Sequence, residues 1–253
     1  MSASKKNMVS IIVPVFNGSK TIERTVDSIK SQTYENWELL IVNDNSSDDT
    51  SNVLNELAKT DKRIRVFDLD KNVGAATARN IGIIESSGRY IAYLDADDLW
   101  DKMKLEKQLS FMNSNGYAFT YTGYYFADSN GKETKEVKVP KIVNYKGLLK
   151  NTTIFTSTVI FDTDKISKND IKFERIESED TATWLRILKK NIYAYGLCEP
   201  LSYYCRSNGT LSSNKFVAIK RIWNLYRRQE KMDVFKSFYY LCFWAINAVR
   251  RRV

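Results

Sequence analysis

The chain has 253 residues, 43% of them hydrophobic and 27% charged, which is enough apolar content for a sizeable core and excludes a disordered protein. It contains no histidine, which excludes Ser-His and Cys-His nucleophile pairs and every His-ligated metal. The net charge is +9, and ten basic residues against Glu230 and Asp233 give residues 215–253 a net +8, leaving +1 for residues 1–214.

Val9–Val15 (V-S-I-I-V-P-V) is a short apolar, β-branched run and is predicted as a buried strand. Residues 21–32 follow with Ile22, Val26 and Ile29 at helical spacing. A second strand is predicted over 37–42, ending in N-D-N-S-S-D-D, whose Ser/Asp cluster caps a helix over about 49–59. A third strand at 64–68, a helix over about 74–86 and a fourth strand at 90–94 complete an alternating pattern. Such alternation predicts right-handed βαβ units on a parallel sheet, an α/β fold. Beyond Trp100 the pattern becomes mixed. A helix over about 101–114 is followed by strands at 117–126 and 137–140 around the turn signal D-S-N-G, then a strand at 154–161 and a helix at 179–190. Two short strands, Y-A-Y-G-L and L-S-Y-Y-C-R, precede a helical, aromatic stretch over 215–250. No repeat or low-complexity linker appears, so residues 1–214 are expected to form one catalytic domain and 215–253 a basic, aromatic helical tail.

Cys198, Cys205 and Cys242 are odd in number and lack C-x-x-C spacing, which argues against a disulfide framework or zinc site and for a reducing compartment. The N-terminal residues do not read as a signal peptide, and no apolar run reaches the roughly 20 residues that span a bilayer. The expected location is the cytoplasm, with the tail bound to the inner face of the membrane.

In open α/β sheets ligands bind beyond the carboxyl ends of the strands, so the polar residues there are the candidates. After the fourth strand stand Asp95, Asp97 and Asp98. Carboxylates this close repel one another and call for a hard cation such as Mg²⁺ or Mn²⁺, or else they cap the following helix. After the second strand, Asp44 can accept from a base imide or a ribose hydroxyl, or simply shape a turn. After the first come Pro14, Val15 and Phe16; the aromatic ring could stack on a base or join the core. No G-x-G-x-x-G is present, so a dinucleotide site is unsupported. Residues 72–80 (N-V-G-A-A-T-A-R-N) open a helix whose amides and Arg79 could face an anion, or pack tightly.

Taken together, V-S-I-I-V-P-V-F-N, V-N-D-N-S-S-D-D-T, N-V-G-A-A-T-A-R-N, Y-I-A-Y-L-D-A-D-D and E-D-T-A-T-W-L-R-I, in this order, resemble the family 2 nucleotide-sugar glycosyltransferases of the GT-A fold over roughly residues 8–210. The resemblance implies a Rossmann-like nucleotide half and an acceptor half. It implies a donor pocket formed by Pro14, Val15, Phe16, Asp44, Arg79, Asp95 and Arg206. Asp95 and Asp97 would be the D-x-D that holds Mn²⁺ or Mg²⁺, and Asp180 the catalytic base. Phe16 stands where the family often has Tyr, and the His that some relatives place near the metal is absent. Relatives with D-A-D-D-L-W and a basic tail often build capsule, O-antigen or teichuronic-type polysaccharides. The activity implied is inverting transfer of a hexose-type sugar from a nucleoside-diphosphate sugar, with UDP as the expected nucleotide, to a polyprenyl-diphosphate-linked acceptor. A sugar-phosphate nucleotidyltransferase would want a Gly-rich loop after the first strand, where only Gly18 stands. An inactive nucleotide-binding relative would not need the carboxylates. No recognised nucleic-acid module accompanies the basic tail, so the expected partners are an anionic membrane surface and no nucleic acid; a homodimer fits the composition as well.

Overall fold

The computed structural model describes residues 7–129, 131–205 and 215–252. Its first half alternates strand and helix: β1 (Val9–Val15), α1 (Ile22–Lys30), β2 (Trp37–Asn43), α2 (Thr50–Thr60), β3 (Ile64–Asp68), α3 (Ala75–Glu85) and β4 (Tyr90–Tyr93). The second half contains β5 (Leu99–Trp100), α4 (Lys104–Asn115), β6 (Phe119–Ala127), β7 (Glu133–Val137), β8 (Ile142–Val143), α5 (Tyr145–Lys150), β9 (Ile160–Asp162), α6 (Glu179–Leu188) and β10 (Ala194–Cys205). The chain then forms α7 (Lys215–Asn224), a π-helical turn (Leu225–Gln229) and α8 (Val234–Arg252).

The strands make one sheet in the order β3-β2-β1-β4-β9-β6-β10-β5, with β7 on β6 and β8 on β10. β3, β2, β1 and β4 are mutually parallel, as the βαβ pattern predicts. The other half is mixed: β9 runs antiparallel between β4 and β6, while β10 is parallel to β6. There the connections include a tight turn, with Gly131 at φ +83° between β6 and β7, which can only reverse direction.

Side-chain alternation along the buried strands splits the core in two. Ile11, Val13, Leu39 and Ile41 pack with Ile22, Val26, Leu54 and Leu109 of α1, α2 and α4. Ile12 and Leu40 face the other side, with Ile83 of α3, Trp184 of α6, Ile222 of α7 and Trp244 of α8. Each fully buried aliphatic side chain contributes about 1.5–3 kcal/mol. Gly82 is required by this packing, because a Cβ there would lie 2.5 Å from Ile12 Cγ2. α3 therefore sits against β1 closely enough to bring Arg79 to the strand ends.

Several boundaries differ from expectation. Residues 154–161 form a 3-10 turn (Thr156–Thr158) before β9, because Thr158 Oγ donates to the Phe155 carbonyl and the chain bends. The strand expected at 137–140 lies earlier, as β7. The two short strands near 195 and 203 are one strand, β10, whose register against β6 shifts on either side of Pro200, the residue that cannot donate to the ladder.

Candidate active site

β1 and β4 end side by side, and α1 and α3 flank them. Between lies a cleft of about 650 Å³ lined by Pro14, Phe16, Asn17, Gly18, Thr21, Arg24, Ala75, Arg79, Asp95, Ala96, Asp97, Ser129 and Cys205. A depression of similar size on α2, around Asn52, Asn55 and Glu56, lies on an outer helix face away from the strand ends and gathers no such groups.

The segment after β4 is held by its neighbours' side chains. Thr25 Oγ donates to the Ala96 and Asp98 carbonyls, both at 3.0 Å. Arg24 donates to the Asp97 carbonyl at 3.0 Å and to the Ser129 carbonyl. Ser157 Oγ accepts from the Asp95 amide at 3.1 Å and donates to Asp98 Oδ2 at 2.7 Å. Asp98 is fully buried and accepts from the Cys205 amide at 3.0 Å. It does not cap a helix: α4 begins at Lys104, and Asp98 ties the β4 loop to the end of β10. Burial, then Asp95 and Asp97, push its carboxyl well above the usual range.

Arg79 is buried and forms the centre of the ionic arrangement. Its guanidinium donates to Asp95 Oδ1 at 2.7 Å and to Glu179 Oε1 at 3.0 Å, and it lies over the Phe173 ring at 5.1 Å. Burial works against its charge, but Asp95 and Glu179 outweigh that and raise its pKa. One side chain thus joins Asp95, just after β4, to the first turn of α6, 100 residues away in sequence from Arg79. Ser178, just before that turn, has φ +57°, a left-handed conformation that costs on the order of 1 kcal/mol or more in a non-glycine residue. Asp180 is half-buried beside Glu179. Burial first, then Glu179, raises its pKa above the ordinary carboxylate value, while Arg79 and Arg221 pull it down.

Asp97 points its carboxylate to the cleft wall, and among the described residues no other side chain donates to it. Burial and then Asp95 raise its pKa. Such a carboxylate is relieved by a cation, and an oxygen-only pair suits a hard divalent ion that keeps other oxygen ligands. Asp95 and Asp97 therefore fit Mg²⁺ or Mn²⁺. Among the described residues no three acidic or sulfur ligands converge as a closed cage, so substrate or water oxygens would complete the shell.

The structure brings Pro14, Phe16, Arg79, Asp95 and Asp97 together in one cleft. Phe16 is 52% exposed at its mouth and not part of the core. Val15 and Asp44 are buried behind the wall. Asp44 accepts from the Val73 amide at 2.7 Å and the Gly74 amide at 2.8 Å, and so fixes the turn that starts α3, where Gly74 has φ +88°. Arg206 lies outside the described residues, immediately after Cys205. Arg24, Ser157 and Glu179 were not singled out as site residues in the sequence. Only Glu179 carries a signal there, as the acidic neighbour of Asp180.

Known proteins share the sequence and the fold of this chain. Residues 10–169 match the model of glycosyl transferase family 2. TuaG of Bacillus subtilis (strain 168), a glycosyltransferase named for teichuronic acid biosynthesis, is 41% identical over 98% of this chain and 98% of its own length. WfgD of Escherichia coli, a UDP-Glc:alpha-D-GlcNAc-diphosphoundecaprenol beta-1,3-glucosyltransferase, is 40% identical over 86% of this chain and 85% of its own. Among solved structures, S. aureus TarS 1-349 in complex with UDP-GlcNAc superposes with a TM-score of 0.69 at 19% identity, over 92% of this chain and 70% of that one. The mannosyltransferase PcManGT from Pyrobaculum calidifontis, in complex with GDP-Man and Mn²⁺, gives 0.70 at 16% identity, over 93% and 70%. These structures show the GT-A fold, and the family match and the near full-length relatives carry the assignment: the chain is a glycosyltransferase and belongs to glycosyl transferase family 2.

Proposed function

We propose that this enzyme transfers a hexose-type sugar from a UDP-sugar, with inversion, to a sugar carried on a polyprenyl diphosphate, in the synthesis of a bacterial surface polysaccharide. The observation that supports it most is the cleft that Asp95 and Asp97 line together with Phe16, and in which Arg79 joins Asp95 to Glu179 on the helix bearing Asp180. The 40% identity to an enzyme named for UDP-Glc and a diphosphoundecaprenol acceptor supports the choice of substrates.

Phe16 and Pro14 form the wall against which the base of the donor would lie, and Asp44 holds the turn behind it. Asp95 and Asp97 would hold Mn²⁺ or Mg²⁺, which when bound offsets the negative charge that develops on the leaving diphosphate. Asp180 takes the proton from the acceptor hydroxyl as that oxygen attacks the anomeric carbon from the face opposite the diphosphate. Its raised pKa makes it a stronger base than an ordinary carboxylate. One displacement of this kind inverts the anomeric centre.

The experiment is a donor panel with a GlcNAc-diphospho-lipid mimic as acceptor, the product linkage being read by NMR. A β-linked disaccharide from an α-linked UDP-sugar is expected. An α-linked product would refute inversion. Failure of every UDP-sugar with turnover of a GDP- or dTDP-sugar would refute the choice of nucleotide.

A further inference from the structure

The last helix, α8, is apolar on two opposite faces. Tyr240, Leu241, Trp244, Ala245 and Ala248 pack on the body, where Trp244 Nε1 donates to Thr152 Oγ at 2.9 Å and Asn247 Nδ2 donates to the Lys150 carbonyl at 3.1 Å. The opposite face presents Phe235, Phe238, Tyr239, Phe243, Ile246 and Val249, at helical intervals of three and four, to solvent. Phe235 is 88% exposed, Phe238 61% and Val249 60%. A contiguous apolar stripe of this length on a soluble surface marks a docking site.

Charge identifies the occupant. α8 contains no acidic residue. Lys236, which also pairs with Asp233 at 3.4 Å, stands at the start of the stripe and Arg250 at its end, followed in sequence by Arg251 and Arg252. Lys150 flanks the middle, its ammonium 4.9 Å from the Phe243 ring and 5.7 Å from that of Tyr239. A second copy packed face to face would set cations against cations in either helix direction: Lys236 on Lys236 if parallel, Lys236 on Arg250 if antiparallel. A sheet of anionic headgroups instead meets all of them with opposite charge. No described helix is long and apolar enough to cross a membrane, and the inner face of α8 is pinned to the body, so the helix can only lie in the plane of the surface.

We infer that the outer face of α8 is an in-plane docking surface for an anionic lipid bilayer, with Phe235, Phe238, Phe243, Ile246 and Val249 entering the headgroup–acyl boundary and Lys150, Lys236 and Arg250 meeting lipid phosphates. The inference stands on the geometry of the tail and gives the proposed lipid-linked acceptor a surface from which to reach the enzyme. α8 rests on α5, and Glu230, between the π-helical turn and α8, is gripped by Tyr145 of α5 and by Lys189 at 2.8 Å, just past the end of α6. Docking therefore holds the Asp180-bearing helix at a set distance from the membrane.

The test uses full-length protein and vesicles of phosphatidylcholine alone or mixed with phosphatidylglycerol. The wild type is expected to sediment with the mixed vesicles, to stay in solution with the neutral ones, and to be released as salt rises. Phe238→Ser with Ile246→Ser should lower partitioning roughly tenfold or more, and Lys236→Glu with Arg250→Glu should abolish it. All should keep the wild-type melting temperature, affinity for UDP and transfer to a short water-soluble acceptor. Phe238→Trp should be quenched by brominated lipid, while Trp244, on the packed face, should not. Equal sedimentation of the Phe238/Ile246 variant and the wild type would overturn the inference. So would absence of binding to mixed vesicles, or a wild-type dimer that the same variant dissociates. Normal vesicle binding without sugar transfer would instead count against the proposed reaction alone.

Discussion

Replacing Arg79 by Met removes one cation from between two carboxylates, and its cost can be worked from the geometry. Arg79 is 5% exposed and pairs with Asp95 at 2.7 Å and Glu179 at 3.0 Å. Breaking a buried pair by deleting one partner costs about 3–5 kcal/mol, chiefly because a charge is left without compensation. Here the Asp95 and Glu179 side chains remain 28% and 24% exposed, so water recovers part of their solvation and the lower end, about 3 kcal/mol, applies. For a chain of this size that is a fall in melting temperature of about 6–12 °C. Arg79→Lys should lose most of it too, since a single ammonium cannot make both contacts in the planar geometry of a guanidinium. The check is a double-mutant cycle by thermal and urea denaturation. Glu179→Gln should cost markedly less in the Arg79→Met background than in the wild type, a coupling of about 1 kcal/mol or more. A loss below about 1 kcal/mol for Arg79→Met, or additivity within about 0.3 kcal/mol, would refute the view that Arg79 clamps Asp95 to α6.

Asp97→Asn should abolish transfer with an unchanged circular dichroism spectrum, and chelation by EDTA should silence the wild type until Mn²⁺ or Mg²⁺ is restored; full activity in chelator would remove the metal role. Because Asp180 must be ionised to act and its pKa is raised, the rate should fall with decreasing pH at a value above the ordinary carboxylate pKa. Glu179→Gln removes the neighbouring negative charge and should move this acid limb to lower pH, whereas Asp180→Asn should lower kcat by orders of magnitude with UDP affinity retained. Asp44→Ala leaves the Val73 and Gly74 amides without their acceptor and should lower stability by about 2–4 kcal/mol and weaken UDP binding, read by calorimetry.

The parallel half of the sheet was legible because each of its elements carries a period or an apolar run long enough to count. β5 and β8, with two residues each, and the six-residue α5 carry none. The candidate carboxylates were legible too, since they follow strands in a fold that binds ligands at that edge. What the sequence could not show was pairing. Asp98 resembled its neighbours in every local respect, yet it turns inward to Ser157 and Cys205 while Asp97 faces the cleft. Arg79 read as an anion-binding candidate, and only the fold shows two carboxylates already at its guanidinium. The tail read as one uncharged aromatic run. In the structure that run is divided between a face packed on the body and a face exposed to solvent.

On the proposed reading, the ionic content of the cleft would call for a cation to accompany the donor. Asp95 and Asp97 line it and Glu179 reaches it through Arg79, against the guanidiniums of Arg24 and Arg79. Arg79 is shared by two of those carboxylates, and Arg24 is directed to the carbonyls of Asp97 and Ser129, so neither positive charge is left over for a ligand. A diphosphate approaching Asp95 and Asp97 would meet like charge at close range, where the reduced dielectric of a cleft makes repulsion several times stronger than in water. The rest of the body offers no general attraction, because residues 1–214 carry a net charge of only +1. The remaining +8 of the net charge belongs to residues 215–253. On the proposed reading the two regions would recognise phosphate in different ways: the tail through its own lysines and arginines, and the cleft through a divalent cation held by carboxylates that would otherwise turn the donor away.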